Sequence, residues 1–167
     1  MSADFVEEME DRIQNTKEIQ RGRFVRDSEG RTRLDWVFLE VPRRVVLTIV
    51  NDFDKRLSFS FHTGSDEIIK IPMPSGDPSD FHWAVVSLPD VGWRKSSESD
   101  EPFEGLPCRK MIYQSADGKG TLTSWIAREL QVVVFEVLET PSEKHTWKLT
   151  NIQRGEPEPA LFEPPPQ

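Results

Sequence analysis

The run Arg56-Leu57-Ser58-Phe59-Ser60-Phe61 alternates polar and apolar residues without a break. Successive side chains of a β-strand point to opposite faces, so this run builds one dry face and one wet face. Upstream, residues 45–50 are almost wholly apolar and rich in β-branched side chains, as a central strand requires. Between the two, Asn51-Asp52-Phe53-Asp54 supplies turn-forming residues. Farther upstream, residues 18–27 and 31–40 flank Ser28-Glu29-Gly30, where glycine can take positive φ. In the second of these runs Leu34, Trp36 and Phe38 share one face. Downstream, Thr63-Gly64-Ser65 turns the chain into a short strand over 67–71. Residues 18–71 therefore read as an antiparallel meander.

Period-two runs return over 108–115, 121–129, 130–138 and 144–152, with either a tight corner or a bend within one strand at Glu129-Leu130. Asp117-Gly118-Lys119-Gly120 joins the first pair and Thr140-Pro141-Ser142 the last. Between these halves, Pro72, Pro74, Pro78, Pro89, Pro102 and Pro107 argue against long regular elements. Within that stretch Ser96-Ser97-Glu98-Ser99-Asp100-Glu101 has no apolar anchor and is expected to be a mobile loop. Residues 81–88 fit one more strand or a short helix. At the N-terminus Phe5, Val6, Met9 and Ile13 fall at helical spacing, which predicts a short helix, with a frayed helix or a strand recruited by tertiary pairing as the alternative. The expected fold is mainly β: a curved antiparallel sheet or open half-barrel, with that helix and the Pro-rich middle segment. Residues 1–162 form one domain, and 163–167 a flexible Pro-rich tail.

Composition narrows the function. The chain has 167 residues, the size of one ordinary domain, with 36% hydrophobic and 30% charged residues, ten Phe and five Trp. A net charge of −8 lacks the basic footprint that phosphate neutralisation needs, so no nucleic-acid partner is expected. The clusters Arg31-Thr32-Arg33 and Arg43-Arg44 read as solvated strand faces. The single cysteine, Cys108, excludes an intramolecular disulfide and a multi-cysteine zinc site, and reads as a buried, inert thiol. No apolar run reaches the ~20 residues a spanning helix needs. The first ten residues are acidic and show no leader, so the compartment is cytoplasmic unless a leader has been removed.

Catalytic signals are weak. The three histidines, His62, His82 and His145, lie in separate segments, and only His62 has a close ligand-type neighbour, Asp66 across a turn. No nucleophile elbow, phosphate loop or His-Glu-x-x-His is present, and none of the 29 acidic residues stands apart as a pair. No enzyme activity, cofactor or metal is therefore expected; a hydrolase with dispersed carboxylates is the third choice. The aromatic residues say more. Leu34, Trp36, Phe38, Leu57, Phe59 and Phe61 are expected to form one apolar strip on one face, with Trp125 and Trp147 at its rim. Such a strip is either ordinary core or a ligand-binding hollow for an acyl chain or apolar peptide.

Two segments carry a family resemblance. One is Arg26-Asp27-Ser28-Glu29-Gly30-Arg31-Thr32-Arg33. The other runs from Trp125 through Glu129-Leu130-Gln131-Val132-Val133-Val134 and Leu149-Thr150-Asn151-Ile152 to Gly155-Glu156-Pro157-Glu158-Pro159-Ala160-Leu161-Phe162. Together with Glu104-Gly105-Leu106-Pro107 they resemble an uncharacterised family of bacterial exported β-rich proteins, over about residues 20–162. Its pattern is distantly similar to the outer-membrane lipoprotein carrier (LolA-like) superfamily. That similarity implies a half-barrel and a non-enzymatic, periplasmic carrier of lipid or acylated polypeptide. The alternative is a structural or protein-interaction module pairing through a sheet edge. The chain departs from the family in lacking a leader and in ending Glu163-Pro164-Pro165-Pro166-Gln167.

Overall fold

The computed structural model describes residues 1–40, 43–65, 67–73 and 93–164, with 39, 40 and 43–45 described by their backbone alone. The first meander contains β1 (Ser2–Asp11), β2 (Thr16–Arg26), β3 (Thr32–Glu40), β4 (Arg43–Asp52), β5 (Leu57–His62) and β6 (Ile68–Pro72). The second contains β7 (Trp93–Asp100), β8 (Cys108–Ser115), β9 (Thr121–Ala127), β10 (Val132–Glu139) and β11 (Glu143–Gln153). A 3₁₀ turn at Pro159–Phe162 follows and is the only helical element among the described residues. The strand order is β6-β5-β4-β3-β2-β1-β11-β10-β9-β8-β7 in one 11-stranded sheet. Among the described residues the two ends of that order, β6 and β7, are not paired with each other. The molecule is mainly β, as its alternating runs predict.

Two expectations fail on strands. Residues 2–11 form β1, not a helix. The apolar spacing of Phe5, Val6, Met9 and Ile13 concealed an alternation in which Ala3, Phe5 and Glu7 are the buried positions. Position seven breaks the apolar pattern because its carboxylate meets His145 from β11. Residues 96–100 belong to β7, an edge strand registered on β8, rather than to a mobile loop. Seven of its eight residues are exposed, so it needs no apolar anchor; its ladder bonds hold it in place. The expectation for 81–88 falls outside the described residues.

Chain contacts divide the protein into two compact units: Met1–Phe5, Gln20–Phe81 and Asn151–Gln167 form unit 1, and Val6–Ile19 and His82–Thr150 form unit 2. In unit 1, Val25, Val50, Phe59 and Phe162 make a buried cluster, with Phe61, Ile68 and Leu161 packed against it. The 3₁₀ turn is fixed there by Arg33, whose Nη1 donates to the Leu161 carbonyl at 2.9 Å. Arg33 also pairs with Asp35 at 2.9 Å, and the Thr48 hydroxyl donates to the same carboxylate at 2.7 Å. Arg31 pairs with buried Asp27 at 2.6 Å and lies over the Phe162 ring. Arg31 and Arg33 are thus clamps for the C-terminal turn, not solvated charges.

In unit 2 the Phe103 and Phe135 rings stack with centroids 4.7 Å apart, and Trp125 packs tilted against both. Phe103 arrives there on the tight turn Phe103-Glu104-Gly105-Leu106, in which Glu104 and Gly105 both take positive φ. Lys110 lies over Trp125, and Glu101 accepts from the Trp125 indole N–H at 3.3 Å. Cys108 is buried, and that burial raises its thiol pKa, in keeping with an inert role.

Candidate functional site

Cross-strand pairing assigns each candidate residue to a face, because directly opposed residues point the same way. Leu34 opposes Phe24 and Ile49, and Trp36 opposes Gly22 and Leu47. Ile49 opposes Ser60, and Ser60 opposes Ile69. The row Phe24–Leu34–Ile49–Ser60–Ile69 therefore lies on one face of unit 1, with Trp36, Phe38 and Leu47 beside it. Phe59, by contrast, opposes Val50, and Val50 opposes Arg33. Leu57, Phe59 and Phe61 consequently occupy the other face. The single strip expected from alternation is two strips, back to back.

The two faces differ in cover. Phe59 and Phe61 stack with ring centroids 6.4 Å apart, inside the cluster closed by Phe162. On the opposite face Leu34 and Trp36 are buried, Leu47 and Ile49 are half-buried, and Ile69 is 49% exposed. Ile71, opposite Ser58, is 56% exposed. The apolar patch is sealed at β2 and β3, and between it and the exposed Ile69 and Ile71 of β6 runs the polar row Ser58, Ser60 and His62 of β5. Phe5 closes the sealed end by meeting Trp36 edge-on, with centroids 5.5 Å apart and planes at 69°.

Unit 2 holds a different feature. On the buried face of β9, β10 and β11 lie Leu122, Ser124, Glu136, Leu138, His145, Trp147 and Leu149. Glu136 is 1% exposed and directly opposes Ser124 on one side and Trp147 on the other. The Ser124 hydroxyl donates to Glu136 Oε2 at 2.5 Å, while Glu136 Oε1 has no hydrogen-bond partner. Burial pushes the Glu136 carboxyl up to about 7, against the opposing pull of the Ser124 hydrogen bond and the His145 charge. His145, one diagonal step away opposite Leu138, shares a 2.7 Å hydrogen bond through Nε2 with Glu7 Oε1. Glu7 is itself only 2% exposed.

By sequence reasoning His145 was weighed only as an isolated histidine, and Ser124, Glu136 and Glu7 were not singled out. Their signal was present: Ser124 and Glu136 each occupy the apolar phase of an alternating strand, and His145 shares a phase with Trp147 and Leu149. Trp147 lies on this buried face, whereas Trp125 lies on the other with Phe135, so the two tryptophans rim no common site. Among the described residues no group of three or more His, Cys, Asp or Glu could hold a metal. His62 is exposed on β5; Asp66, its expected neighbour, falls outside the described residues.

No family model matches the chain, and no curated protein matches its sequence. Its fold does match solved structures. A LolA superfamily protein from Nitrosomonas europaea aligns at a TM-score of 0.51 and 6% identity, covering 98% of this chain and 89% of that one. A DUF1329 family protein from Desulfovibrio piger aligns at 0.48 and 8% identity over 97% and 88%. LprF from Mycobacterium bovis aligns at 0.39 and 12% identity over 95% and 89%. The similarity to the LolA superfamily is distant and lies in the fold. Among the described residues no helix is long and apolar enough to cross a membrane.

Proposed function

We propose that this protein is a non-enzymatic binding or carrier domain for a hydrophobic ligand, working outside the cytoplasm. The observation that carries the reading is one face of unit 1, whose apolar residues are buried at Leu34 and Trp36 and exposed at Ile69 and Ile71 beyond a polar row on β5. Ile69 and Ile71 stand two residues apart on the same side of the edge strand, and neighbouring exposed apolar side chains form a place where a ligand can dock. The LolA-type fold supports the same reading. A fatty acyl chain suits the surface because it needs area and few hydrogen bonds. Phe38 lies in phase with Leu34 and Trp36 and belongs to the same proposed surface. Phe59 and Phe61 pack instead in the core under the C-terminal turn, on the face they share with half-buried Leu57.

The test is native mass spectrometry of protein purified from a bacterial host, together with titration of a fluorescent fatty acid. The wild type is expected to carry an adduct or take up the probe. Ile69→Glu, at an exposed position that tolerates charge, is expected to weaken uptake about tenfold, the loss of roughly 1.4 kcal/mol of apolar contact. No adduct and no uptake by the wild type would overturn the reading in favour of an interaction module. Export of the native gene product, followed by cell fractionation, tests the compartment.

A further inference from the structure

A carboxylic acid in the middle of an apolar sheet face needs a reason, and Glu136 has an unusual arrangement. Ser124 fills one oxygen of its carboxyl and leaves the other without a partner. In its neutral form such a group leaves a polar atom unsatisfied; in its ionised form it leaves a charge without compensation, which costs far more. Other titratable groups on this face are limited. From β1 comes Glu7, and from β11 comes His145, bonded to each other at 2.7 Å. From β9 comes Ser124, which does not titrate near neutrality, and beyond it on β8 lies Met111. Trp147, Leu138 and Leu122 complete the surroundings. No arginine or lysine is bonded to Glu136 among the described residues, so the imidazole of His145 is the group within influence that can carry positive charge.

We propose that Ser124, Glu136, His145 and Glu7 form a proton-operated switch in unit 2, in which neutral Glu136 keeps the buried face of β9–β11 sealed and ionised Glu136 opens it to water. Ionisation places a second carboxylate beside the Glu7–His145 pair. The new charge calls for hydration at Oε1, and water reaches that atom only if the strands around it loosen. The direction follows: the face is sealed at mildly acidic pH and opens as pH rises through neutrality. The proposal does not depend on the carrier reading, since it concerns unit 2 and needs no ligand.

Trp147, directly opposite Glu136, is a built-in reporter. Tryptophan emission and hydrogen–deuterium exchange of β9–β11, corrected for intrinsic exchange rates, are followed from pH 5 to 9 in the full chain. The wild type is expected to show a red shift and faster exchange in these strands, with one midpoint near neutrality. Glu136→Gln keeps the shape and cannot ionise, so its profile should be flat; Glu136→Leu, with no polar atom to hydrate, should be flat too. His145→Gln removes the cationic neighbour and should move the midpoint upward. A flat wild-type profile, or a transition that persists in either Glu136 variant, overturns the switch. If one variant fails to fold, the other decides.

Discussion

Glu136 links the pH of the solution to the stability of the folded chain through a single buried carboxyl. Its pKa rises from 4.5 to about 7 on folding because burial disfavours the charged form. Between those values the native state holds a proton that the unfolded chain has released. Stability therefore falls as pH rises through that window and levels off above it, a difference of about 3 kcal/mol. Denaturant midpoints measured from pH 4 to 8 for wild type and Glu136→Gln isolate this component, since other carboxylates titrate alike in both. The variant should lose the downward slope. Exposed carboxylates act in the opposite sense: hydrogen bonding from Lys110 holds Glu101 below its ordinary value. A second residue-scale prediction concerns Gly22, opposite Trp36. A Cβ there would lie 2.0 Å from the Asp35 carbonyl oxygen and 2.5 Å from the Phe5 ring. Gly22→Ala should cost at least about 2 kcal/mol in a thermal melt, because backbone and a packed ring would both have to move.

At the scale of elements, the C-terminal 3₁₀ turn and the edge strand β7 behave differently from their composition. The turn is four residues long, yet Phe162 is 4% exposed within the cluster of Val25, Val50 and Phe59. Phe162→Ala should destabilise unit 1 by about 3–4 kcal/mol in denaturant titration and increase binding of a hydrophobic dye. Strand β7 carries almost no apolar surface, and its order comes from the ladder to β8. Its amides that face β8 should exchange more slowly than those facing away from the ladder, in an alternating pattern read by NMR hydrogen exchange. A uniformly fast β7 would contradict the registered ladder. Strand β10 has an irregular register between Val133 and Phe135, where Val134 is the extra, buried residue. That bulge puts Val133 on the face of Ile126 and Glu136 on the face of Ser124, three positions apart. No simple alternation along the strand would group them.

For the whole molecule, most neighbouring strands in the sheet are also neighbours in sequence. The exception is β1 beside β11, the first strand beside the last. Within unit 1, Asn151 donates to Asp4 at 2.8 Å; within unit 2, the Arg12 backbone N–H donates to the Ser142 carbonyl at 2.8 Å. Meander strands were legible because alternation and turn chemistry are local: residues 108–115 reappear as β8, and 18–27 and 144–152 lie within a residue or two of β2 and β11. The polar residues around Glu136 were less legible, because a carboxylate in an apolar phase looks the same whether it is a partner, a switch or a strand in the wrong register. By itself, the amino-acid sequence determined the β-rich class, the turns and which residues of one strand share a side. Only the tertiary structure decided how the phases of different strands align, and so divided Leu34, Trp36 and Phe38 from Leu57, Phe59 and Phe61. It also turned residues 2–11 into a strand by supplying His145 as a partner for Glu7. Alternation is a property of one chain segment, whereas register and the satisfaction of a buried charge depend on a second segment far away in sequence.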